Sequence, residues 1–465
     1  MTPLEKIITF ESQFNPSKWE IKGVSVWPYI RISILAQAEK EGAMAITDRR
    51  YFSTEERVNV QAPEGIHARQ IARRQKIEEY IPMAPNKIGV FYSAKARTYD
   101  NDCRYYSRHI EGLKNLLGRG RTLQTFNFTP NKGYDDSKNI YLSLRLLTLI
   151  GYLISPFFRL NYAANIDACR CWLRDHDLPT EHLNERNIKK RFGAIWLKKL
   201  FFSKLIKKHN LLGVVIICWY DDVGMSLSWA ARERSIHCHD LQHGLAGACK
   251  QRAYADWTDL SSSRLHFIPT NFLCWSDEDA IEVDNWSAGL KNGPTAITTG
   301  NLWNRFWKEQ SKDVDKYIGD RFLDKISGPK ILITLQGSIP DIVWELLDYS
   351  EANWNWLIRA HPLHPLSSEE LQRIEDCYPQ AEHLCTTGSV LPYLLEGVDV
   401  HLTGWSAVAQ DSIDFEIPTI AYSKNALYYF QAFQRTKLFF ILLERDQILN
   451  RLSSLIDSRS KLYSK

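Results

Sequence analysis

The stretch LLGVVIICWY, at residues 211–220, is the most informative part of the chain for the fold. It is a continuous apolar run rich in β-branched residues, which is typical of a parallel strand buried on both faces. Residues 224–234 then have the length of a helix, and SIHCHD at 235–240 has the pattern of another strand. Strand, helix and strand at this spacing predict a βαβ unit in a parallel sheet.

The same alternation continues on both sides of this unit. Upstream, KIGVFYSA (87–94) and TLQTFNF (122–128) predict two more strands. Downstream, further strands are predicted at 329–338, 355–362, 382–387, 399–404 and 418–423, with helices at 341–351, 390–398 and 406–415. We therefore expect an α/β fold with two Rossmann-like parallel-sheet domains facing a cleft, because ligands of such sheets bind beyond the carboxyl ends of the strands.

The predicted domain boundaries follow from where these strands begin and end. We expect a helical N-terminal extension at 1–84 packed on the first lobe, a first Rossmann-like domain at 85–310 and a second at 325–465. A length of 465 residues is more than one ordinary core requires.

Composition excludes several classes of protein. With 44% hydrophobic and 24% charged residues, the chain is neither largely disordered nor collagen-like. The net charge of +4 is too small to indicate a nucleic-acid partner. The nine cysteines are scattered without a C-x-x-C pair, which favours reduced thiols in a cytoplasmic protein. The N-terminus lacks the pattern of a signal peptide.

Two segments bear on contact with a membrane. Residues 140–160 contain only thirteen uncharged residues between Arg145 and Arg159, whereas a spanning helix needs about 20. We expect a buried helix there, with a helix lying at the membrane interface as the alternative. Residues 186–210 carry nine Lys or Arg and no acid. We expect a surface helix with one buried strip that includes Lys199, and contact with a membrane surface stays open.

Common enzyme motifs are missing from the sequence. It contains no P-loop, no G-x-G-x-x-G at the first strand, no H-E-x-x-H and no G-x-S-x-G. The polar residues that could carry chemistry instead follow the predicted strands.

The first such group follows the strand at 235–240. Asp240, Gln242, His243 and Gly244 lie within five residues. The glycine permits a sharp turn, and the others suit a base or nucleophile, a ligand clamp and a charge stabiliser. Asp221, at the end of the preceding strand, is an additional candidate on the acceptor side. The alternative is a polar loop with a hydrogen-bonded histidine.

Three groups in the second half have the character of phosphate loops. Arg359, His361 and Pro362 end one strand, and a cation with an imidazole suits a phosphate. Thr403 and Ser406 lie where a strand ends and a helix begins, a position that favours anions. The weakest group follows the first strand of this half: Gln336, Gly337 and Ser338. The alternatives are an exposed charge pair and ordinary helix caps.

At these residues the sequence resembles the bacterial capsule and lipopolysaccharide biosynthesis transferases of the GT-B fold. The segments that carry the resemblance are VWPYIRISI (26–34), DLQHG (240–244), FLCWS (272–276), TTGNLW (298–303), RAHP (359–362) and DVHLTGWSAVAQDSIDFEIPTIAY (399–422). They occur in the expected order over most of the chain. Relatives with the HP motif and a serine-rich helix start include transferases that use CMP-linked donors such as CMP-Kdo.

The resemblance implies roles for several residues. His361, Pro362 and Ser406 would hold the donor phosphate, and Asp240 would be the nucleophile or general base, with His243 assisting. Two positions depart from the family pattern: Ser406 is followed by Ala407 in place of a second serine, and Asp411-Ser412 replaces a Glu-Ala pair. Asp411 is still expected among the donor-binding residues, although its shorter side chain puts in doubt any sugar or ribose contact copied from the family.

Together these patterns predict a metal-independent glycosyltransferase without a cofactor. It would move a sugar from a nucleotide-activated donor, CMP-linked in the relatives, to a growing surface glycan of capsule or O-antigen, with a glycan or lipid-linked glycan as acceptor. We expect it in the cytoplasm, with peripheral contact to the inner membrane left open and no nucleic-acid partner. The alternatives are a CDP-polyol phosphotransferase of the same fold and a non-catalytic glycan-binding subunit.

Overall fold

The computed structural model describes residues 1–45, 87–93, 106–117, 123–130, 137–162, 165–261, 264–309, 314–318, 321–361, 364–384 and 390–463. This part of the chain forms two compact units. The first contains the described residues of 1–95 and 117–300, and the second contains those of 96–116 and 301–465. Each unit has its own parallel sheet.

Helices and strands alternate over most of the described chain. The helices are α1 (Pro3–Phe14), α2 (Trp27–Ala45), α3 (Arg108–Leu117), α4 (Tyr141–Ile154), α5 (Ile166–Asp175), α6 (Glu185–Lys208), α7 (Asp222–Glu233), α8 (Asp277–Ser287), α9 (Leu302–Glu309), α10 (Asp341–Asp348), α11 (Ser368–Cys377), α12 (Leu391–Gly397), α13 (Val408–Asp414), α14 (Lys424–Tyr429) and α15 (Arg445–Tyr463). The strands are β1 (Glu20–Ile21), β2 (Val24–Ser25), β3 (Ile88–Tyr92), β4 (Gln124–Asn127), β5 (Lys138–Asn139), β6 (Leu160–Asn161), β7 (Gly213–Ile216), β8 (His237–Leu241), β9 (Asn271–Cys274), β10 (Thr295–Thr298), β11 (Lys330–Thr334), β12 (Asn355–Arg359), β13 (Ala381–Leu384), β14 (Val400–Thr403), β15 (Thr419–Ala421) and β16 (Phe439–Ile441).

The first sheet has the order β5-β4-β3-β7-β8-β9-β10, and all its neighbours are parallel. This is the doubly wound arrangement, in which the strand order reverses between β3 and β7. All four residues of β7 are buried, as a central parallel strand requires. The strand ends at Ile216, although the apolar run continues to Tyr220. The chain turns after Ile216, and Asp221 then caps α7.

The second sheet repeats the arrangement with six parallel strands. Its order is β13-β12-β11-β14-β15-β16, with the reversal between β11 and β14. The two sheets confirm the predicted fold class of two Rossmann-like parallel-sheet domains in an α/β chain. Helices α1 and α2 confirm a helical N-terminal region, whereas residues 46–84 of the predicted extension lie outside the described residues.

The exposure of helix α4 differs from the buried helix that was expected at residues 140–160. The segment 140–160 forms this helix and a short 3-10 turn, but it is not a buried helix. Leu144 and Gly151 are buried, whereas Leu142 and Leu153 are 77% and 76% exposed. The expectation was wrong because apolar residues occur all round the helix, whereas among the described residues only the side with Leu144 and Gly151 is buried.

Helix α6 has the buried strip that its sequence predicts. Ile188, Lys199 and Ile206 are all buried. The Lys199 ammonium lies 2.6 Å from a carboxylate oxygen of Glu233, which compensates for the burial of its charge. Within the described part of the chain, every helix is too short or too polar to cross a membrane.

A buried ion pair attaches the N-terminal helices to the first unit. Arg31 Nε donates to Glu11 Oε1 over 2.8 Å, and both side chains are almost completely buried. Glu11 also accepts from Trp27 Nε1 at 2.7 Å and from the Thr258 hydroxyl at 2.6 Å. The remaining nitrogens of Arg31 donate to three main-chain carbonyls, those of Arg252, Ala255 and Asp256. With both ions compensated, the pair holds the 252–258 segment in place.

We predict that Arg31→Met destabilises the first unit by about 3–5 kcal/mol, because it leaves the Glu11 carboxylate buried without its counterion. Chemical denaturation followed by tryptophan fluorescence measures this loss. The control is Arg264→Met, which breaks the half-buried pair between Arg264 and Glu20 (3.1 Å), and should cost less than about 1 kcal/mol. Equal losses for the two variants would contradict the account.

Candidate functional site

The carboxyl edge of the second sheet gathers three of the predicted loops. In the β11–β12 pairing Thr334 is in register with Arg359, and in the β11–β14 pairing it is in register with Thr403. The loops after β11, β12 and β14 therefore leave the sheet side by side at the point where the strand order reverses. This is the place where open α/β sheets bind their ligands.

The loop after β11 leaves room for a ligand. Gln336 and Gly337 are half-buried and Ser338 is exposed. A Cβ atom added at Gly337 would meet no atom within 4 Å. A ligand can therefore approach the main chain of this loop closely.

The loop after β12 contributes a cation and an imidazole. The main-chain carbonyl of Arg359 accepts from Leu335 N at 2.9 Å, which joins this loop to the one after β11. Arg359 and His361 are both half-buried. Burial lowers the pKa of His361, and the nearby His364 lowers it further. His361 is therefore suited to donate or accept a hydrogen bond as a neutral ring, while Arg359 supplies positive charge. Pro362 lies outside the described residues.

Thr403 has a fixed position between the sheet and the following loop. Its hydroxyl donates to the Thr334 carbonyl and accepts from Ser406 N, each over 3.1 Å. Ser406 Oγ accepts from Val408 N at 3.3 Å and keeps its proton for another partner. Within the described residues, the Thr403 hydroxyl therefore already has a donor and an acceptor partner, whereas the Ser406 hydroxyl retains a proton that it can donate.

His401 is a buried residue of this site that sequence reasoning missed. Its Nε2 lies 2.8 Å from the Thr334 hydroxyl, and its Nδ1 lies 3.3 Å from the Thr419 hydroxyl. Burial lowers the pKa of His401 to about 3, so the ring is neutral. The three side chains connect β11, β14 and β15 just before the edge of the sheet. The only signal in the sequence was a polar residue in the middle of an apolar strand.

Asp411 lies away from the strand ends, at the contact of α9 with α13. Its Oδ1 accepts from Asn301 Nδ2 at 2.6 Å and from Asn304 Nδ2 at 2.8 Å. Burial raises the pKa of Asp411 to about 6. These contacts hold α13, which begins just after the Ser406 loop. Asn301 belongs to the TTGNLW segment, so part of that segment is explained by packing within the second unit.

The carboxyl edge of the first sheet holds the other predicted group. Asp221 caps α7, with its Oδ1 accepting from Gly224 N at 2.7 Å. Burial raises the pKa of Asp221 to about 6. Gly224 is required at this turn, because a Cβ atom there would lie 2.2 Å from the Cys218 carbonyl oxygen. Asp221 thus fixes the loop between β7 and α7.

Asp240 is enclosed at the end of β8, with 0% of its surface exposed. Its Oδ1 accepts from Trp219 N at 3.0 Å, and its Oδ2 accepts from the Tyr254 hydroxyl at 2.6 Å. Burial raises the pKa of Asp240 to about 7. The predicted role as nucleophile needs a carboxylate that a substrate can reach. In this structure both oxygens are already engaged, which favours a role in holding the loop after β7.

His243 is the more accessible member of the DLQHG segment. It is half-buried, and its Nε2 lies 3.2 Å from the Tyr220 hydroxyl. Tyr220 in turn contacts Tyr254 edge to face, with 6.2 Å between the ring centroids. The two tyrosines thus link the surroundings of Asp240 and His243. Tyr220 is the last residue of the apolar run at 211–220, so the sequence analysis covered its position. No pattern in the sequence identified Tyr254 as a residue near this site.

The Gln242 side chain is engaged within its loop, whereas Gly244 has free space beside it. Gln242 Nε2 donates to the Gly244 carbonyl at 2.9 Å and to Asp279 Oδ2 at 3.0 Å. Its Oε1 accepts from Trp275 N at 2.6 Å, so the amide stabilises the loop internally. A Cβ atom at Gly244 would meet no atom within 4 Å. The open space at this loop therefore lies at Gly244, next to His243.

Comparison with known proteins shows similarity in architecture only. No protein-family model and no curated protein matches the sequence. A UDP-GlcNAc 2-epimerase from Neisseria meningitidis, solved with UDP-GlcNAc, aligns with a TM-score of 0.48 and 11% identity over 80% of this chain and 92% of its own. The wall teichoic acid polymerase TagF aligns at 0.44 and 12% identity over 86% and 88%. UGT2 of Phytolacca americana, solved with UDP-2-fluoro-glucose and pterostilbene, aligns at 0.43 and 11% over 80% and 91%. Similarity at this level says nothing about the activity of this chain.

The pKa of Asp240 leads to a prediction about stability. A carboxyl group whose folded pKa (about 7) lies above its unfolded value of about 4 binds an extra proton in the folded state. The free energy of unfolding then falls as pH rises from about 4 to about 7. In Asp240→Asn this contribution disappears. Relative to the variant, the wild type should lose on the order of 2–4 kcal/mol between pH 5 and pH 8.

Urea denaturation of both proteins at several pH values measures this difference. Asp167→Asn is the matched control, since Asp167 is exposed on α5 and should leave the profile unchanged. Parallel profiles for the wild type and Asp240→Asn would show that Asp240 is ionised in the folded protein at all these pH values.

Proposed function

We propose that this chain is a glycosyltransferase that moves a sugar from a nucleotide-activated donor to a growing surface glycan of the capsule or O-antigen type. The observation that supports it most is the convergence of three polar loops at the β11–β14 switch point. There the register places Arg359 and Thr403 on either side of Thr334. An anionic diphosphate or monophosphate ester is the ligand that such loops suit.

The donor site that we propose is built from side chains of two loops and the main chain of a third. Arg359 supplies positive charge, His361 a neutral ring nitrogen and Ser406 a hydroxyl proton. Gly337 leaves the main chain of its loop open to the ligand. Thr403, His401 and Asp411 would act as positioning residues. Charge from Arg359 and hydrogen bonds from the loops would stabilise the leaving nucleotide phosphate without a metal.

On the first unit we propose that His243 meets the acceptor. A general base removes the proton of the attacking hydroxyl, and a half-buried imidazole beside open space at Gly244 is placed for this. Asp240 would be a positioning residue: it fixes Trp219 and Tyr254, and through the latter the ring of Tyr220 that contacts His243. The acceptor would be a glycan or a lipid-linked glycan.

The donor site is tested by a thermal-shift titration with CMP, UDP, GDP and ADP. A ligand at about 100 times its Kd adds roughly 2.7 kcal/mol of stability, which gives a measurable shift. We expect a shift with one nucleotide that is lost in His361→Ala. His364→Ala is the control: its side chain is exposed in the same loop, and the shift should persist. Absence of a shift with every nucleotide would contradict the donor site and favour a non-catalytic glycan-binding subunit.

The catalytic assignment is tested by transfer from the nucleotide sugar that stabilises the protein. Loss of a general base should lower kcat/KM in His243→Ala by about 10²–10⁴-fold. Asp240→Asn preserves the shape of the buried side chain, so we expect less than a tenfold loss. An inactive but folded Asp240→Asn protein would restore Asp240 as the nucleophile. A phosphodiester product would instead identify a CDP-polyol phosphotransferase.

A further inference from the structure

Helix α4 and the turn after it carry an exposed row of large apolar side chains, here called the apolar ridge. Its members are Leu142, Leu146, Leu149, Ile150, Tyr152, Leu153 and Phe157. Four leucines follow one another at intervals of four, three and four residues, which places them on one face of the helix. Phe157, in the turn, is 88% exposed. A contiguous apolar surface of this kind marks an interaction site in a folded protein.

Close packing on the opposite face fixes the outward direction of the apolar ridge. A Cβ atom at Gly151 of α4 would lie 2.5 Å from Ala194 N of α6, and one at Gly193 would lie 2.3 Å from the Gly151 carbonyl oxygen. Larger residues would not fit between the two helices. Because α4 is held on this face, it cannot rotate to bury its leucines without separating from α6.

The chain segment that contains α4 and the part of α6 after Glu185 carry cations but no acids. Residues 137–166 and 186–220 contain no Asp or Glu. The helices run in opposite directions, since Gly151 meets Gly193 while Lys138 Nζ, just before α4, lies 3.1 Å from His209 Nδ1, just after α6. Exposed cations therefore lie near both ends of the ridge: Arg145, Arg159, Arg186, Lys204, Lys207 and Lys208. Within the described part of the chain, none of these six forms an ion pair.

We propose that the apolar ridge and its flanking cations dock the first unit onto a bilayer containing anionic lipids. At about 1.5 Å per residue, the 14 residues of α4 extend about 21 Å, less than the roughly 30 Å of a hydrocarbon core. The helix therefore lies in the interface, with its leucines among the acyl chains and its cations at the headgroups. Lys190 Nζ, 5.9 Å from the centroid of the Tyr152 ring, extends this pattern at the C-terminal end of α4.

A second copy of the chain is the less suitable occupant of this surface. A two-fold dimer brings the same patch of both protomers together. That contact would place the cationic flanks of two ridges against each other without any acidic residue from either segment. An anionic membrane satisfies both the apolar row and the charge. Docking of the apolar ridge to a membrane does not depend on the proposed transferase activity.

The test is co-sedimentation of the full chain with vesicles made of equal parts phosphatidylglycerol and phosphatidylcholine, against vesicles of phosphatidylcholine alone. We expect binding to the anionic vesicles that weakens as salt is raised, because screening reduces the attraction of the cations. In Leu146→Ser/Leu153→Ser the partition coefficient should fall about tenfold or more. Lys207→Gln/Lys208→Gln should weaken binding mainly at low salt.

The matched control is Leu427→Ser/Leu443→Ser, which removes two exposed leucines of the second unit and should leave vesicle binding unchanged. Phe157→Ser is an independent variant in the event that the double leucine variant folds poorly, since Phe157 lies outside the helix. Absence of binding to anionic vesicles, or equal binding by wild type and a folded ridge variant, would overturn the proposal. So would a dimer in sedimentation equilibrium that the ridge variants convert to a monomer.

Discussion

The buried pair of Glu11 and Arg31 is the constraint on which the first half of this protein depends. A carboxylate and a guanidinium without solvent are tolerated only when every polar atom has a partner. Here the partners are the indole of Trp27, the hydroxyl of Thr258 and three carbonyls of the 252–256 segment. The same segment presents Tyr254 to Asp240. The N-terminal helices therefore contribute to the order of the loop at the end of β8, although they lie outside the parallel sheet.

The two units share one sheet arrangement but carry different side chains at the carboxyl edge of the sheet. Each parallel sheet reverses its strand order once, and each reversal leaves polar loops at the carboxyl edge. In the second unit these loops offer a cation, a neutral imidazole and a hydroxyl, which suit phosphate. In the first unit, two buried acids with raised pKa values order the loops near His243: Asp240 accepts from the Tyr254 hydroxyl, and Asp221 caps α7.

Much of the fold could be predicted from the sequence because buried parallel strands produce continuous apolar runs. The runs at 211–220 and 329–338 both proved to be central strands. Other features could not be predicted, since they depend on contacts between distant residues. Examples are the enclosure of Asp240 by Tyr254 and the exposure of Leu142 and Leu153 on α4. Residue type and position after a strand identified Thr403 as a candidate, but only its hydrogen bonds show that its hydroxyl is already engaged.

The central claim is that a nucleotide binds where the strand order of the second sheet reverses. Hydrogen–deuterium exchange with and without a saturating nucleotide measures this directly, because bound ligand slows exchange in the loops that it contacts. The account predicts slower exchange in peptides that cover residues 335–339, 359–361 and 404–408, with little change after β7. Protection confined to the loops after β7 and β8 of the first sheet would contradict it.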